Sequence, residues 1–251
     1  MARTDVDFNP LAQEFAEDIY GSSKGYIRLN VLWRDLLSEL PYLEEGGVDV
    51  LDVGGGMGQV AVKLAKLGNR ITLCDPSEEM LAKARETVKR ENLTEAVTLV
   101  HAAVQDLSEH TDKSFDVITC HAVLEWLANP EKTLGQMLRF LKPEGSLSLM
   151  FYNRNAFVLK RMLNGNLAAV RDLETQEHAP PSPLFAEDVT AWLNALGWHV
   201  ESKTGVRIFH DHVPEAVRQS ELDNLLELEQ LYAKRDHFAS LAQHIHLVCK
   251  K

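Results

Sequence analysis

Residues 47–59 read GVDVLDVGGGMGQ, and this stretch decides the fold. The apolar, β-branched run VDVLDV predicts a strand, and the amphipathic VAVKLAKLG at 60–68 predicts the helix that follows it. Between them Gly54, Gly56 and Gly58 permit a sharp turn and bring backbone amides up to a ligand, because glycine tolerates positive φ and carries no side chain. The spacing is GxGxG. A dinucleotide fingerprint requires glycine at its sixth position, which here is Gln59.

Downstream the same alternation continues. RITLCD at 70–75, VTLVHA at 97–102, FDVITC at 115–120 and SLSLMF at 146–151 predict strands, and EEMLAKARETVKREN at 78–92 has helical apolar spacing. Alternating βα units imply a doubly wound α/β fold with a mostly parallel sheet. With no internal repeat and no Gly/Ser linker, residues 1–251 read as one domain. Within it, 1–46 are expected to form an N-terminal helical lid, with helices near 10–20 and 24–40 interrupted by GSSKG. Residues 47–153 form the core. Residues 154–184 are expected to be an inserted substrate loop, least regular from 160 and ending in APPSP. The remainder, 185–251, completes the sheet: a helix within 184–198, a strand over 199–210, a helix over 214–235 whose Glu-rich outer face reads as solvated, and a last strand at 244–250.

Composition bounds the function. No apolar run approaches the roughly 18 residues of a membrane span, and MARTDVDFNPLAQEF lacks the apolar core of a secretory signal, so a cytoplasmic location is expected. Cys74, Cys120 and Cys249 are odd in number and form no CxxC pair, which argues against a disulfide framework and a thiolate zinc site. The His-rich pieces FHDH and HIH match no metal motif, and no metal is expected. A net charge of −11 gives no bulk attraction to nucleic acid, so an RNA partner would require a local basic patch.

Placed between strand and helix, GxGxG resembles motif I of the class I methyltransferases, which implies S-adenosyl-L-methionine as cofactor. Asp75 ends the second strand, where a carboxylate can accept both ribose hydroxyls; as an alternative it caps the helix starting near Pro76. Val104 and Gln105 follow the third strand, where class I enzymes flank adenine, and Asp106 is a candidate cap for the next helix. His121 follows the fourth strand at the switch point, where open α/β sheets bind ligands. That segment has no NPPY or DPPY, and Cys120 has no neighbouring proline, which weakens methylation of a base nitrogen or carbon. No lysine or aspartate base accompanies His121, and no catalytic residue is assigned. An acceptor already ionised suits such a site, and a carboxylate, with a pKa near ~4, is one.

IYGSSKGYIR, LDVGGGMGQ, CHAVLEWLANP, LSLMFYN and TGVRIFHDH together resemble the bacterial tRNA 5-carboxymethoxyuridine methyltransferases over nearly the whole chain. The resemblance implies a Rossmann-like, mostly parallel seven-stranded sheet and methyl transfer to the carboxylate of 5-carboxymethoxyuridine at the tRNA wobble position, with the anticodon stem-loop as partner. By matching positions it implies Arg28, Gly54, Gly55, Asp75, Val104, Gln105 and His121 as cofactor contacts, the Arg28 fork suiting the methionine carboxylate. Tyr20, Lys24, Tyr152 and Arg207 are the candidate substrate contacts, with Tyr20, Phe151 or Tyr152 available to stack on a flipped base. Lys24, Arg154, Lys160, Arg161, Arg171, Lys203 and Arg207 are candidates for the basic patch, although RDLETQEHAPPSP in the insertion is poor in basic residues. Two alternatives stay open: a small-molecule methyltransferase, and a cofactor-binding subunit without catalysis.

Overall fold

The helix α1 (Ser23–Glu39) leads into β1 (Asp49–Val53), and the glycine turn carries the chain from β1 into α2 (Gln59–Lys66). The structure is a computed structural model that describes residues 5, 6, 9, 21–175 and 181–251, the side chains of 172–175 excepted. Successive units add β2 (Arg70–Asp75), α3 (Glu78–Arg90), β3 (Val97–His101), β4 (Phe115–His121), α4 (Pro130–Met137) and β5 (Leu141–Tyr152). The chain continues through α5 (Arg154–Leu163), α6 (Leu167–Thr175), α7 (Ala186–Ala195) and β6 (His199–Val206). It closes with α8 (Glu215–Ser220), α9 (Leu222–Tyr232), α10 (Asp236–Ala239) and β7 (His244–Lys250).

The seven strands make one sheet in the order β3-β2-β1-β4-β5-β7-β6. β1 pairs in parallel with β2 on one side and β4 on the other, so the winding reverses there. β7 runs antiparallel to both β5 and β6. The two-residue period of the strands separates two cores. Val50, Ile71, Val117 and Val248 pack under α1, α2 and α3 with Leu36, Leu64 and Leu81. Leu51, Phe115, Ile118, Leu147 and Leu149 face the other way, against Leu134 and Met137 of α4 and Val189 and Leu193 of α7. All three cysteines are buried and free.

Several expectations need correction. The stretch anticipated as a loop at 154–184 holds α5 and α6, joined by a turn at Gly165 with φ 70°. Its mixed polarity arises because both helices lie on the surface, with Leu163 and Leu167 exposed. The helix expected over 214–235 breaks at Glu221, whose backbone at φ −125°, ψ 30° is not helical. The break lets Leu222 and Leu225 dock against Ile27 and Met150, a turn of direction that apolar spacing does not encode. The strand expected to reach 210 ends at Val206, because Arg207 turns the chain at φ 65°. The helix near 10–20 lies outside the described residues. Among the described residues, no helix is long and apolar enough to cross a membrane.

Candidate active site

Gly54, Gly56 and Gly58 all sit at positive φ, between 54° and 78°, so the turn needs glycine at each of the three. The amides do not serve as expected. Gly54 N–H donates to Cys74 O at 2.8 Å and Gly56 N–H to Asp75 Oδ2 at 2.9 Å, so both point into the protein. Internal packing also requires glycine here: a Cβ on Gly54 would lie 2.5 Å from Val123 Cγ2, and one on Gly55 2.6 Å from Asp52 Oδ2.

Above this turn, at the carboxyl ends of β1, β2 and β4, opens a cavity of about 480 Å³. Arg28, Gly54, Gly55, Asp75, Val104, Gln105 and His121 all line it, so residues distributed across the sequence share one wall. Its size falls in the range of small-molecule sites. Asp75 Oδ1 accepts from Ser77 N–H at 2.8 Å, which leaves lone pairs on both carboxylate oxygens for two hydroxyls. Burial pushes the Asp75 carboxyl up, offset in part by the Ser77 and Gly56 N–H bonds. Asp75 is not the cap of α3; Ser77 is, its Oγ accepting from Met80 N–H. Asp106, the other candidate cap, makes no side-chain capping bond. Gln105 donates to Asp5 Oδ2 at 2.9 Å, and Asp5, Val6 and Asn9 line the cavity beside it. The Asp52 carboxyl lies beneath the turn, accepts from Thr119 Oγ1 at 2.7 Å, and is pushed up to about 7 by burial.

His121 is half-buried, and Ala122 after it holds φ 60°, a strained angle for a residue with a Cβ. The kink follows the end of β4, where Ala122 and Val123 also line the cavity. Burial, then the nearby His246 and Arg28 charges, hold the His121 imidazole well below its ordinary range.

Beyond His121 lies a second group of polar side chains. Tyr152 packs against His244 with the rings tilted at 41° and their centroids 4.7 Å apart, and it lies in the field of Glu125, Arg28, Arg207 and Asp211. Glu125 is fully buried, neither carboxyl oxygen has a partner among the described residues, and burial pushes it up to about 8. Arg207 pairs with Asp211 at 2.7 Å. Burial opposes ionisation of Asp211, but the His210 hydrogen bond and the Arg207 charge outweigh it and hold the carboxyl well below its usual range. Glu229 of α9 fixes this turn by accepting the N–H groups of Ile208, Phe209 and His210. It corrects the reading of that helix as wholly solvated on its acidic side: Glu229 is fully buried. Ser23 Oγ meets His210 Nε2 at 2.9 Å, so the start of α1, with half-buried Lys24, adjoins the same turn.

The remaining candidates divide. Phe151 is fully buried in the core on the opposite face, so it cannot stack on a base. Lys160 and Arg207, with His212, line a second cavity of about 170 Å³, whereas Lys203 is drawn off by Asp236 at 3.6 Å. Arg154 stacks over Phe185 and Arg161 over Phe157, and Arg171 is exposed on α6. Tyr20 lies outside the described residues. Sequence reading missed Glu125, Glu229, His244, Ser148 and His246. The last two belong to a period-two polar row on a face that is otherwise buried, and that row was the available signal.

Residues 51–149 match the family model described as Methyltransferase domain. The chain is 36% identical over 252 residues, covering 98% of it and 97% of the relative, to the tRNA 5-carboxymethoxyuridine methyltransferase of Escherichia coli (strain K12). It is 29% identical over 76% of its length, and 76% of the relative's, to the ubiquinone biosynthesis O-methyltransferase of Xylella fastidiosa (strain 9a5c). Among solved structures, magnesium protoporphyrin IX methyltransferase from Synechocystis PCC 6803 with bound SAH superposes with a TM-score of 0.67 at 15% identity, covering 97% of this chain and 96% of that one.

Proposed function

Because the chain belongs to the tRNA 5-carboxymethoxyuridine methyltransferase family of S-adenosylmethionine-dependent methyltransferases, we propose that it esterifies the carboxylate of 5-carboxymethoxyuridine at the tRNA wobble position. The observation that carries this reading is the extent of the likeness to the Escherichia coli enzyme. It runs over 98% of the chain, well outside the 51–149 cofactor domain, and takes in α1 and β6 to β7. Those elements supply the polar group around Tyr152.

In this reading Arg28, Gly54, Gly55, Asp75, Val104, Gln105 and His121 hold the cofactor, and Lys24, Tyr152 and Arg207 meet the modified nucleotide. Bound S-adenosylmethionine supplies a methyl group on a sulfonium. The chain's task is placement. An acceptor carboxylate is already ionised at neutral pH, so no residue of the chain would have to remove a proton from it, and the residues' part is to hold acceptor and cofactor in line. The electrostatics are compatible with an anionic acceptor: Arg28 and Arg207 bring positive charge to Tyr152 against Asp211, which Arg207 pairs, and burial raises Glu125 to about 8, which favours its neutral form near pH 7.

The test is single-turnover transfer from methyl-labelled cofactor to tRNA carrying 5-carboxymethoxyuridine, followed by mild alkali. A methyl ester releases its label as methanol, and the rate of the chemical step stays nearly flat from about pH 8 to about 6, because the acceptor's pKa is near ~4. Label that resists alkali, or that appears only on a small-molecule acceptor, overturns the reading.

A further inference from the structure

Beneath the larger cavity, side chains from four elements form one hydrogen-bonded chain. His121 Nε2 of β4 lies 2.8 Å from Ser148 Oγ of β5, which lies 2.7 Å from His246 Nε2 of β7. His246 Nδ1 in turn lies 2.6 Å from Asp35 Oδ2 of α1, and the other Asp35 oxygen meets Lys234 Nζ at 3.0 Å. Ser148 and His246 are fully buried and Asp35 is buried, and of these groups only His121 reaches the cavity wall.

Counting donors and acceptors fixes the protons. Burial opposes ionisation of Asp35, but the contacts with His246 and Lys234 outweigh it and hold the carboxyl below its usual range. An ionised carboxylate only accepts, so His246 Nδ1 carries the proton of that bond. The Lys234 ammonium, shared with Glu39, faces the Asp35 charge, and a fully buried imidazolium is costly, which favours a neutral His246 ring with a bare Nε2. Ser148 has one hydroxyl proton and gives it to that nitrogen. The Ser148 oxygen then accepts from His121 Nε2–H, which leaves His121 Nδ1 without a proton, and that nitrogen has no partner among the described residues. The same chain ties down α1, which carries Arg28 on the cavity wall two turns before Asp35.

We infer that Asp35, His246 and Ser148 are positioning residues of the cofactor site: they hold His121 as its Nε2–H tautomer and fix the helix bearing Arg28 against the strand bearing His121. This rests on the reading of the larger cavity as the cofactor's. A polar cluster that only stabilised the fold would leave the His121 tautomer free. The test is nitrogen-15 NMR of the imidazoles in the full chain, with calorimetric S-adenosylhomocysteine binding, on wild type, Ser148→Ala, Ser148→Thr and His246→Asn. Wild type shows a bare Nδ1 and a protonated Nε2 at His121. Ser148→Ala mixes the tautomers and weakens binding about tenfold, the cost of one hydrogen bond. Ser148→Thr keeps the hydroxyl and restores both readouts. His246→Asn keeps a donor for Asp35 but not the contact with Ser148, and behaves as Ser148→Ala does. A protonated Nδ1 at His121 in wild type, or an unchanged tautomer in folded Ser148→Ala, overturns the relay. A wild type with the expected tautomer that does not bind S-adenosylhomocysteine upholds the relay and overturns the cofactor reading of the cavity.

Discussion

Asp75 serves the turn and the ligand with one carboxylate, since its two oxygens accept the Gly56 and Ser77 N–H groups and still face the cavity. Asp75→Ala is therefore expected to lose about 1.5–3 kcal/mol of cofactor affinity, the range for hydrogen bonds to a charged group. It also frees two backbone donors, so its melting temperature falls as well. Calorimetric affinity within twofold of wild type would remove Asp75 from the site. Arg28 tests geometry apart from charge. Arg28→Lys keeps the charge but not the planar fork, and weaker cofactor binding is expected in the same titration; equal affinity would rule out a bidentate clamp.

Among the elements, the turn after β6 is held from outside itself. Glu229 reaches from α9 to accept three backbone N–H groups in the turn just past Arg207, which sits at φ 65°. In Glu229→Ala those donors are buried without partners, at about 1–3 kcal/mol each if none is rehydrated. Loss of stability in urea is expected together with a raised KM for tRNA, while cofactor affinity stays near wild type. An unchanged KM in a folded variant would separate the turn from acceptor binding. The capping of α3 is a smaller matter: Ser77→Ala is expected to cost about 1 kcal/mol, read as a lower midpoint of urea unfolding.

For the whole molecule, ionisable groups with shifted pKa values shape stability against pH. Asp49 and Asp211 have depressed pKa values, so their contribution is present above the unfolded value and is lost as pH falls through the acid range. His121 and His244 are depressed too. The unfolded chain binds their protons below about 6.5, so they favour folding increasingly as pH rises to that point. Asp52, raised to about 7, and Glu125, raised to about 8, act with the opposite sign: the folded state holds their protons longer, and stability falls as pH climbs from the unfolded value through the folded one. Above about 6.5 the imidazole contribution is complete and only the carboxyls remain. Stability is expected to decline from there toward pH 8, by up to roughly 1.4 kcal/mol per pH unit for each group still protonated in the fold. Asp52→Asn and Glu125→Gln should each flatten that limb in urea titrations, and an equally steep limb in both would refute the assignment.

Local chemistry was enough for the core strands and the glycine turn, because strand alternation, helical spacing and positive-φ glycines are properties of neighbouring residues, whereas Arg28 and Gly55 became candidates only through the family resemblance. The carboxyl end of each early strand delivers its next residues to the same edge of a doubly wound sheet, so Asp75, Val104 and His121 were legible without coordinates. Tertiary structure decided what depended on partners distant in the chain. It turned the glycine amides inward toward Cys74 and Asp75, buried Glu229 in a helix that reads as solvated, and withdrew Phe151 into the core. It also joined Asp35 to His246 across 211 positions. A hydrogen bond or a buried charge is fixed by which atoms meet in space, and a pattern of residue types along the chain carries no record of that meeting.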